Sequence, residues 1–244
     1  MKILVTGSYH SGKSTMIRSL TKGKSISIDK QDTTVALDYG LVNIEDLRIH
    51  LFGTPGLKHF KVLRQVLSKG ADGVLFLVDS QDKNSDVEAK IIWGEVQEFL
   101  PGVPITVAAN KQDLPNAREV SRIRKDLDIP PDVYIVPTSA KTGQNVEKAL
   151  RVLLLVAVQK ELNLLKIMQK HDGEVKGIHS LMSDLGMEMG AIRQHLNWLE
   201  LRGYVEVDWR TSIYWLTPAI KKVIEQPKLI LKEFGVHEDS IKEV

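Results

Sequence analysis

The sequence contains no cysteine. That absence excludes disulfides, thiolate metal sites and a cysteine nucleophile, and it accords with an expected cytoplasmic location. Net charge is nearly absent as well. The 33 Lys and Arg residues face 31 Asp and Glu, a formal +2, so no overall field recruits nucleic acid or anionic lipid. The longest apolar run, Ala149 to Leu162, is broken by Arg151 and Lys160 and is too short to span a bilayer. The opening apolar run meets a glycine-rich turn within a few residues, so it is expected to be a strand rather than a signal peptide. Lys2 and the lack of a cysteine leave no lipidation signal, and no membrane anchor is expected. Internal repeats and low-complexity segments are also missing.

What remains is the balance of an ordinary globular chain. With 244 residues, 43% hydrophobic and 26% charged, it can bury one large core and has room for a second, smaller one. Short β-rich runs alternate with longer helical patterns. Lys2–Thr6 reads as a buried strand, and a helix follows from the glycine loop. Residues 33–43 and 47–53 alternate as two adjacent strands do, while 73–79 and 104–110 are continuous apolar runs typical of strands covered on both faces. Residues 133–140 close the set. Helical patterns lie near 57–69, 84–100, 116–127 and 145–160. The expectation is an α/β domain over 1–160, a mostly parallel sheet flanked by helices, with ligands at the carboxyl ends of the strands.

The pattern changes after about residue 160 to helix, helix, helix and two short strands, the order of a winged helix-turn-helix (α+β) domain over 161–226. Pro218 is placed to open a last helix and Pro227 to end it, leaving 227–244 as a tail.

Two stretches carry chemistry. "GSYHSGKS", Gly7 to Ser14, matches G-x-x-x-x-G-K-[ST] between an expected strand and an expected helix, the setting a phosphate loop requires. Gly7 and Gly12 let successive amides turn inward, and the following helix adds its positive end. Lys13 is expected at the β- and γ-phosphates and the Ser14 hydroxyl at Mg²⁺. Ser8, Tyr9, His10, Ser11 and Thr15 complete the candidate phosphate site.

The second stretch, "AANKQD", leaves Asn110, Lys111 and Asp113 at the end of a strand. Guanine offers two adjacent donors, N1–H and the 2-amino group, that one carboxylate accepts together. Adenine offers an acceptor at N1 and no 2-amino group, which would strand the Asp113 charge. Asn110 is expected to tie this loop to the phosphate loop, and the Lys111 stem to cover the base. Further on, "TSAK" supplies Ser139, Ala140 and Lys141, with the Ala140 amide expected at the guanine oxygen. The predicted ligand is GTP or GDP.

In this order of elements the first 160 residues or so resemble the Ras-like small GTPases, best their bacterial and archaeal branch and more distantly the Arf and signal-recognition-particle-receptor β types. The resemblance implies a Mg²⁺-dependent GTP/GDP switch of the P-loop class with two loops that sense the γ-phosphate. It implies that Thr34, or Thr33 in the alternate alignment, addresses Mg²⁺ and γ-phosphate, and that Gly56 in "FGTPGLKHF" offers its amide to the γ-phosphate.

Three positions depart from the family. Gly53 stands where an aspartate usually holds Mg²⁺ through water, with Asp32 and Asp38 the nearest substitutes in sequence. Leu57 replaces the glutamine that orients water, so slow hydrolysis is expected unless His59 or a partner's residue substitutes. Tyr9 replaces a glycine and crowds the route of an external arginine, while His10 beside it is free to lean toward the phosphates.

The second domain's "MGAIRQHLNWLELRGYVEV" resembles the recognition helix and first wing strand of ArsR/MarR-like winged helices. Ile192, Leu196, Leu199 and Leu201 are expected to face inward, Met189, Gly190, Arg193, Gln194 and Asn197 outward, and Tyr204 to start the wing. Residues 161–226 carry eight Lys and Arg against nine Asp and Glu. A slightly acidic module supplies little phosphate neutralisation, which favours a protein partner over DNA. Three functions fit the sequence: a GTP-controlled switch acting through the second domain, a DNA-binding transcriptional regulator with a nucleotide sensor, and a turnover GTPase.

Overall fold

The computed structural model describes residues 1–30, 33–44, 47–56, 60–158 and 161–225. It divides into two compact units. Of the described residues, one comprises those within Lys2–Val42 and Ile49–Ala157, and the other comprises Met1 and those within Asn43–Arg48 and from Val158 to 225.

The larger unit is built on a seven-stranded sheet in the order β2-β3-β4-β1-β5-β6-β7. The strands are β1 (Lys2–Gly7), β2 (Ser25–Lys30), β3 (Thr33–Ile44), β4 (Leu47–Gly53), β5 (Gly73–Asp79), β6 (Ile105–Asn110) and β7 (Tyr134–Pro137). From β4 through β1, β5 and β6 to β7 every pairing is parallel. β2 adds an antiparallel edge on β3, in register from Ser25 opposite Gly40. This is the expected α/β sheet with one strand more than the sequence suggested.

The central strands are apolar because both faces are covered. All seven residues of β5 are buried. On one side Phe76 meets Trp93 edge-on, with ring centroids 5.1 Å apart, inside a core that includes Leu4, Val78, Ile92, Val107 and Ile123. Four helices stand beside these strands: α1 (Lys13–Leu20), α2 (Lys61–Ser68), α3 (Asp86–Phe99) and α4 (Val120–Asp126), and α5 (Val146–Val158) closes the unit. In α1 the buried Met16, Ile17 and Leu20 share one face. The helix expected from 116 begins only at Val120, because Asn116 takes a positive φ of 63° in the turn after Pro115.

In the C-terminal part the described elements are α6 (Leu162–Lys170), β8 (Glu174–Lys176), α7 (Ile178–Leu185), α8 (Met189–Leu201), β9 (Val205–Asp208), β10 (Ile213–Leu216) and α9 (Pro218–Glu225). Antiparallel β10 lies between β8 and β9. β8 is too short for a periodic signal and was not expected. Gly203, at a φ of 74°, ends α8, and the Tyr204 amide turns back to the Leu199 carbonyl at 2.9 Å. Tyr204 itself precedes β9 and is fully buried.

Ile192, Leu196 and Leu199 are fully buried as expected, but Leu201 is 81% exposed. Leu201 lies nine residues beyond Ile192, about half a turn around the helix, so it belongs to the opposite face. Pro227 and the tail 227–244 lie outside the described residues.

Candidate functional site

β1 ends at Gly7, and the chain turns through residues 8–12 into α1. The turn needs positive φ at Gly7 (140°) and Gly12 (96°), and a Cβ on Gly12 would fall 2.3 Å from Asn110 Nδ2. His10 also adopts a left-handed φ of 58°. Its ring sits against that of Tyr9 with centroids 3.8 Å apart, both side chains exposed at the rim of the loop. Inside, the Ser8 and Ser11 hydroxyls are buried with no hydrogen-bond partner among the described residues.

Lys13 opens α1 and folds back over the loop. Its Nζ donates to the Gly7 carbonyl at 3.1 Å and the Ser8 carbonyl at 2.6 Å. Burial lowers its pKa to about 8 against the opposing pull of Glu88 and Asp38. The ammonium is thus held where anionic oxygens would restore what solvent no longer provides.

The next residue bears on the question raised by Gly53. Ser14 Oγ donates to Asp38 Oδ2 at 2.5 Å, and Asp38 is buried. A Cβ on Gly53 would lie 2.9 Å from Asp38 Cβ and 2.9 Å from Ile17 Cδ1. A buried carboxylate on β3 thus stands beside Ser14, in space that a side chain at Gly53 of β4 would contest. A hydroxyl and a carboxylate are hard oxygen donors suited to Mg²⁺, which usually takes one or two protein ligands plus phosphates and water. Among the described residues no group of three His, Cys, Asp or Glu is placed to hold a metal. Thr33 and Thr34 lie in β3, and their side chains, like Asp32, Leu57 and His59, lie outside the described residues.

The segment before Gly56 is fixed at several points. Thr54 N–H donates to the Val5 carbonyl at 3.0 Å, and its hydroxyl to Thr6 Oγ at 2.7 Å. Buried Arg64 grips the Pro55 carbonyl at 3.1 Å and forms a two-pronged bridge to Glu95 of α3 at 2.7 and 3.0 Å. A Cβ on Gly56 would come within 2.6 Å of Tyr9 N, so the two backbones touch.

The base-side residues converge on a cleft of about 240 Å³ lined by Gly12, Thr15, Asn110, Lys111, Asp113, Leu114, Ala140 and Lys141. Asn110 Nδ2 donates to the Ser11 carbonyl at 2.8 Å, the tie expected between the two loops. Lys111 takes a φ of 69° and pairs with Asp79 at 2.5 Å. Asp113 accepts from Ser139 Oγ at 2.6 Å, and this bond, with Lys141 and Lys111 nearby, holds its carboxyl below the usual range. The Ala140 amide donates to Asn110 Oδ1 at 2.8 Å, so a guanine oxygen would share or take over that donor.

Several supports of the site were not foreseen from sequence. Asp79 anchors Lys111. Arg118 spans Asp86 at 2.5 Å, Asp126 at 3.1 Å and the Asp79 and Ser80 carbonyls, so it braces both loops that follow β5 and β6. Asp79, closing a strand in "LVDSQD", was a usable signal. The Arg64–Glu95 and Arg118–Asp86 pairs, each about thirty residues apart, gave none.

Comparison with known proteins agrees with this geometry. The profile of the Ras family matches residues 2–159. The mutual gliding-motility protein MglA of Myxococcus xanthus is 30% identical over 181 residues, covering 65% of this chain and 92% of that protein. An uncharacterized protein of Methanocaldococcus jannaschii is 35% identical over 114 residues, 47% of this chain and 71% of that one. Translation initiation factor IF-2 of Persephonella marina is 32% identical over 169 residues, 66% of this chain but 19% of its own length. Among the described residues no helix is long and apolar enough to cross a membrane.

Proposed function

The chain belongs to the Ras family, and from that membership we propose that it is a GTP/GDP switch with slow or assisted hydrolysis, coupled to a winged-helix module that binds a partner. Guanine-nucleotide binding follows from the family. The observation that carries the finer reading is the joining of the two halves of the site through Asn110, between Ser11 and Ala140.

In this reading Asp113, steadied by Ser139, accepts the two guanine donors, and Lys111 and Lys141 flank the base. The amides of residues 8–15 and Lys13 hold the phosphates, with Gly56 meeting the γ-phosphate. Ser14, Thr34 and Asp38 would hold Mg²⁺, which when bound would neutralise phosphate charge. Leucine at 57 neither donates nor accepts, so orientation of water falls to His59 or to a partner, and intrinsic turnover is slow.

We infer that 161–226 is the winged helix-turn-helix and 227–244 the tail. Support comes from the order α7, turn, α8 and the β9–β10 hairpin, whose turn at residues 209–212 is capped by Asp208. The exposed Leu201 and Trp209 and the slight acidity favour a protein partner. Arg193, Gln194 and Asn197 are all exposed on α8, which keeps the DNA-binding regulator as the second reading.

The test is a titration with GTP, GDP and ATP analogues with and without Mg²⁺, followed by a turnover assay. Guanine preference, a Mg²⁺ requirement and slow turnover are expected, and preference for ATP refutes the assignment. Gel shifts at low salt with each nucleotide decide the DNA alternative. Unchanged hydrogen exchange across 161–226 between nucleotides refutes coupling.

A further inference from the structure

Glu88 lies in the first turn of α3, outside every motif that identifies the nucleotide site. Its carboxylate nevertheless reaches the phosphate loop, where Oε2 accepts the Tyr9 amide at 2.6 Å. The same amide is where Gly56 packs, with backbone so close that a Cβ would come within 2.6 Å of it. Glu88 and Asp38 are the carboxylates whose negative charge acts on buried Lys13. One carboxylate thus holds the loop amide against which Gly56 packs, and its charge acts on the lysine on which a terminal phosphate would draw.

An anion brought to Lys13 and Gly56 meets Glu88 as a like charge. A diphosphate ends before that corner, whereas a triphosphate adds its most highly charged group there. We propose that Glu88 is a specificity-determining residue that disfavours the triphosphate relative to the diphosphate and yields the Tyr9 amide when a γ-phosphate arrives. This rests on the guanine-nucleotide reading above. It adds a link from the terminal phosphate to α3 that depends on neither the Thr34 nor the Leu57 side chain. Glu88 works by competition, and the asymmetry it imposes is electrostatic.

The experiment is calorimetric titration of the full chain, native and Glu88→Gln, with GDP and with a hydrolysis-resistant GTP analogue at fixed Mg²⁺. The expected result is a rise of about tenfold in the ratio of triphosphate to diphosphate affinity, the scale of one removed like-charge contact in a partly solvated site. Glu88→Ala should shift the ratio the same way, and Glu88→Asp, which keeps the charge, should shift it far less. These two variants decide the matter should Glu88→Gln fail to fold. An unchanged or lowered ratio in the charge-removing variants overturns the proposal while leaving nucleotide binding intact. Failure of the native chain to bind either nucleotide overturns the underlying reading instead.

Discussion

The proposed base side and the proposed terminal-phosphate side of the cleft are organised by different means. Around the base, each recognition group is already held by a protein partner: Asn110 by Ser11 and Ala140, Lys111 by Asp79, Asp113 by Ser139. Around the terminal phosphate the expected residue types are replaced, by Gly53, Leu57 and Tyr9, and charges arrive from other strands and helices, Asp38 from β3 and Glu88 from α3. Hydrogen-bond recognition of a flat heterocycle demands specific atoms in specific places. Charge compensation demands only that a charge be near, and several backbone positions can deliver one.

If the contrast is sound, perturbations on the two sides should fail differently. The largest effect is expected from Arg64→Met, which leaves Glu95 buried without its partner. The loss should be about 3–5 kcal/mol of stability in denaturant unfolding, the usual figure for a broken buried pair. Asp113→Ala should then abolish purine selection, lowering the guanine-to-adenine affinity ratio by about a thousandfold or more, because a site built on paired donors discriminates strongly. Competition binding measures it, and a small change would erase the contrast from the base side.

Smaller, and more telling, is the carboxylate exchange. Asp38→Ala should remove most of the Mg²⁺-dependent gain in nucleotide affinity, about ten- to a hundredfold, on the scale of a lost oxygen ligand or its hydrogen-bonded support. Gly53→Asp alone should cost about 1–3 kcal/mol through overpacking against Asp38 and Ile17. Combined, the two should recover both stability and Mg²⁺ response, and no recovery would mean that Asp38 does not replace the missing aspartate.

The smallest effect concerns Lys13. With its pKa near 8 in the folded chain and 10.5 as the ordinary value, the folded state sheds this proton first. Lys13's contribution to stability therefore rises with pH between about 8 and 10.5. Bound phosphates favour the ammonium, so nucleotide binding near pH 8.5 should take up a fraction of a proton, and affinity should weaken above about pH 8. Calorimetry in buffers of different ionisation heat reads this directly.

The contrast also explains what was legible. Gly7–Ser14 and Asn110–Asp113 are contiguous runs whose function is local, so sequence alone assigns them, and the parallel strands announce themselves as unbroken apolar runs. Glu88 lies 79 residues from Tyr9, and Glu95 lies 31 from Arg64. Nothing local marks such pairs, because their meaning exists only once α2, α3 and the phosphate loop have been packed. β2 escaped for another reason. It is an edge strand whose Ile26 is 61% exposed, so it lacks the burial signal of its neighbours. Leu201 was misplaced by counting apolar residues rather than angles.

The crowding of Gly53 against Asp38 has a consequence for how such proteins diverge. The two strand positions offer one berth, and single substitutions lead either to a collision or to a site stripped of its anion. Arrangements with the acid on one strand or on the other are therefore separated by an epistatic valley. If the proposed role of Asp38 holds, a classification that inspects one alignment column would dismiss as metal-incompetent a chain that carries its acid on the next strand.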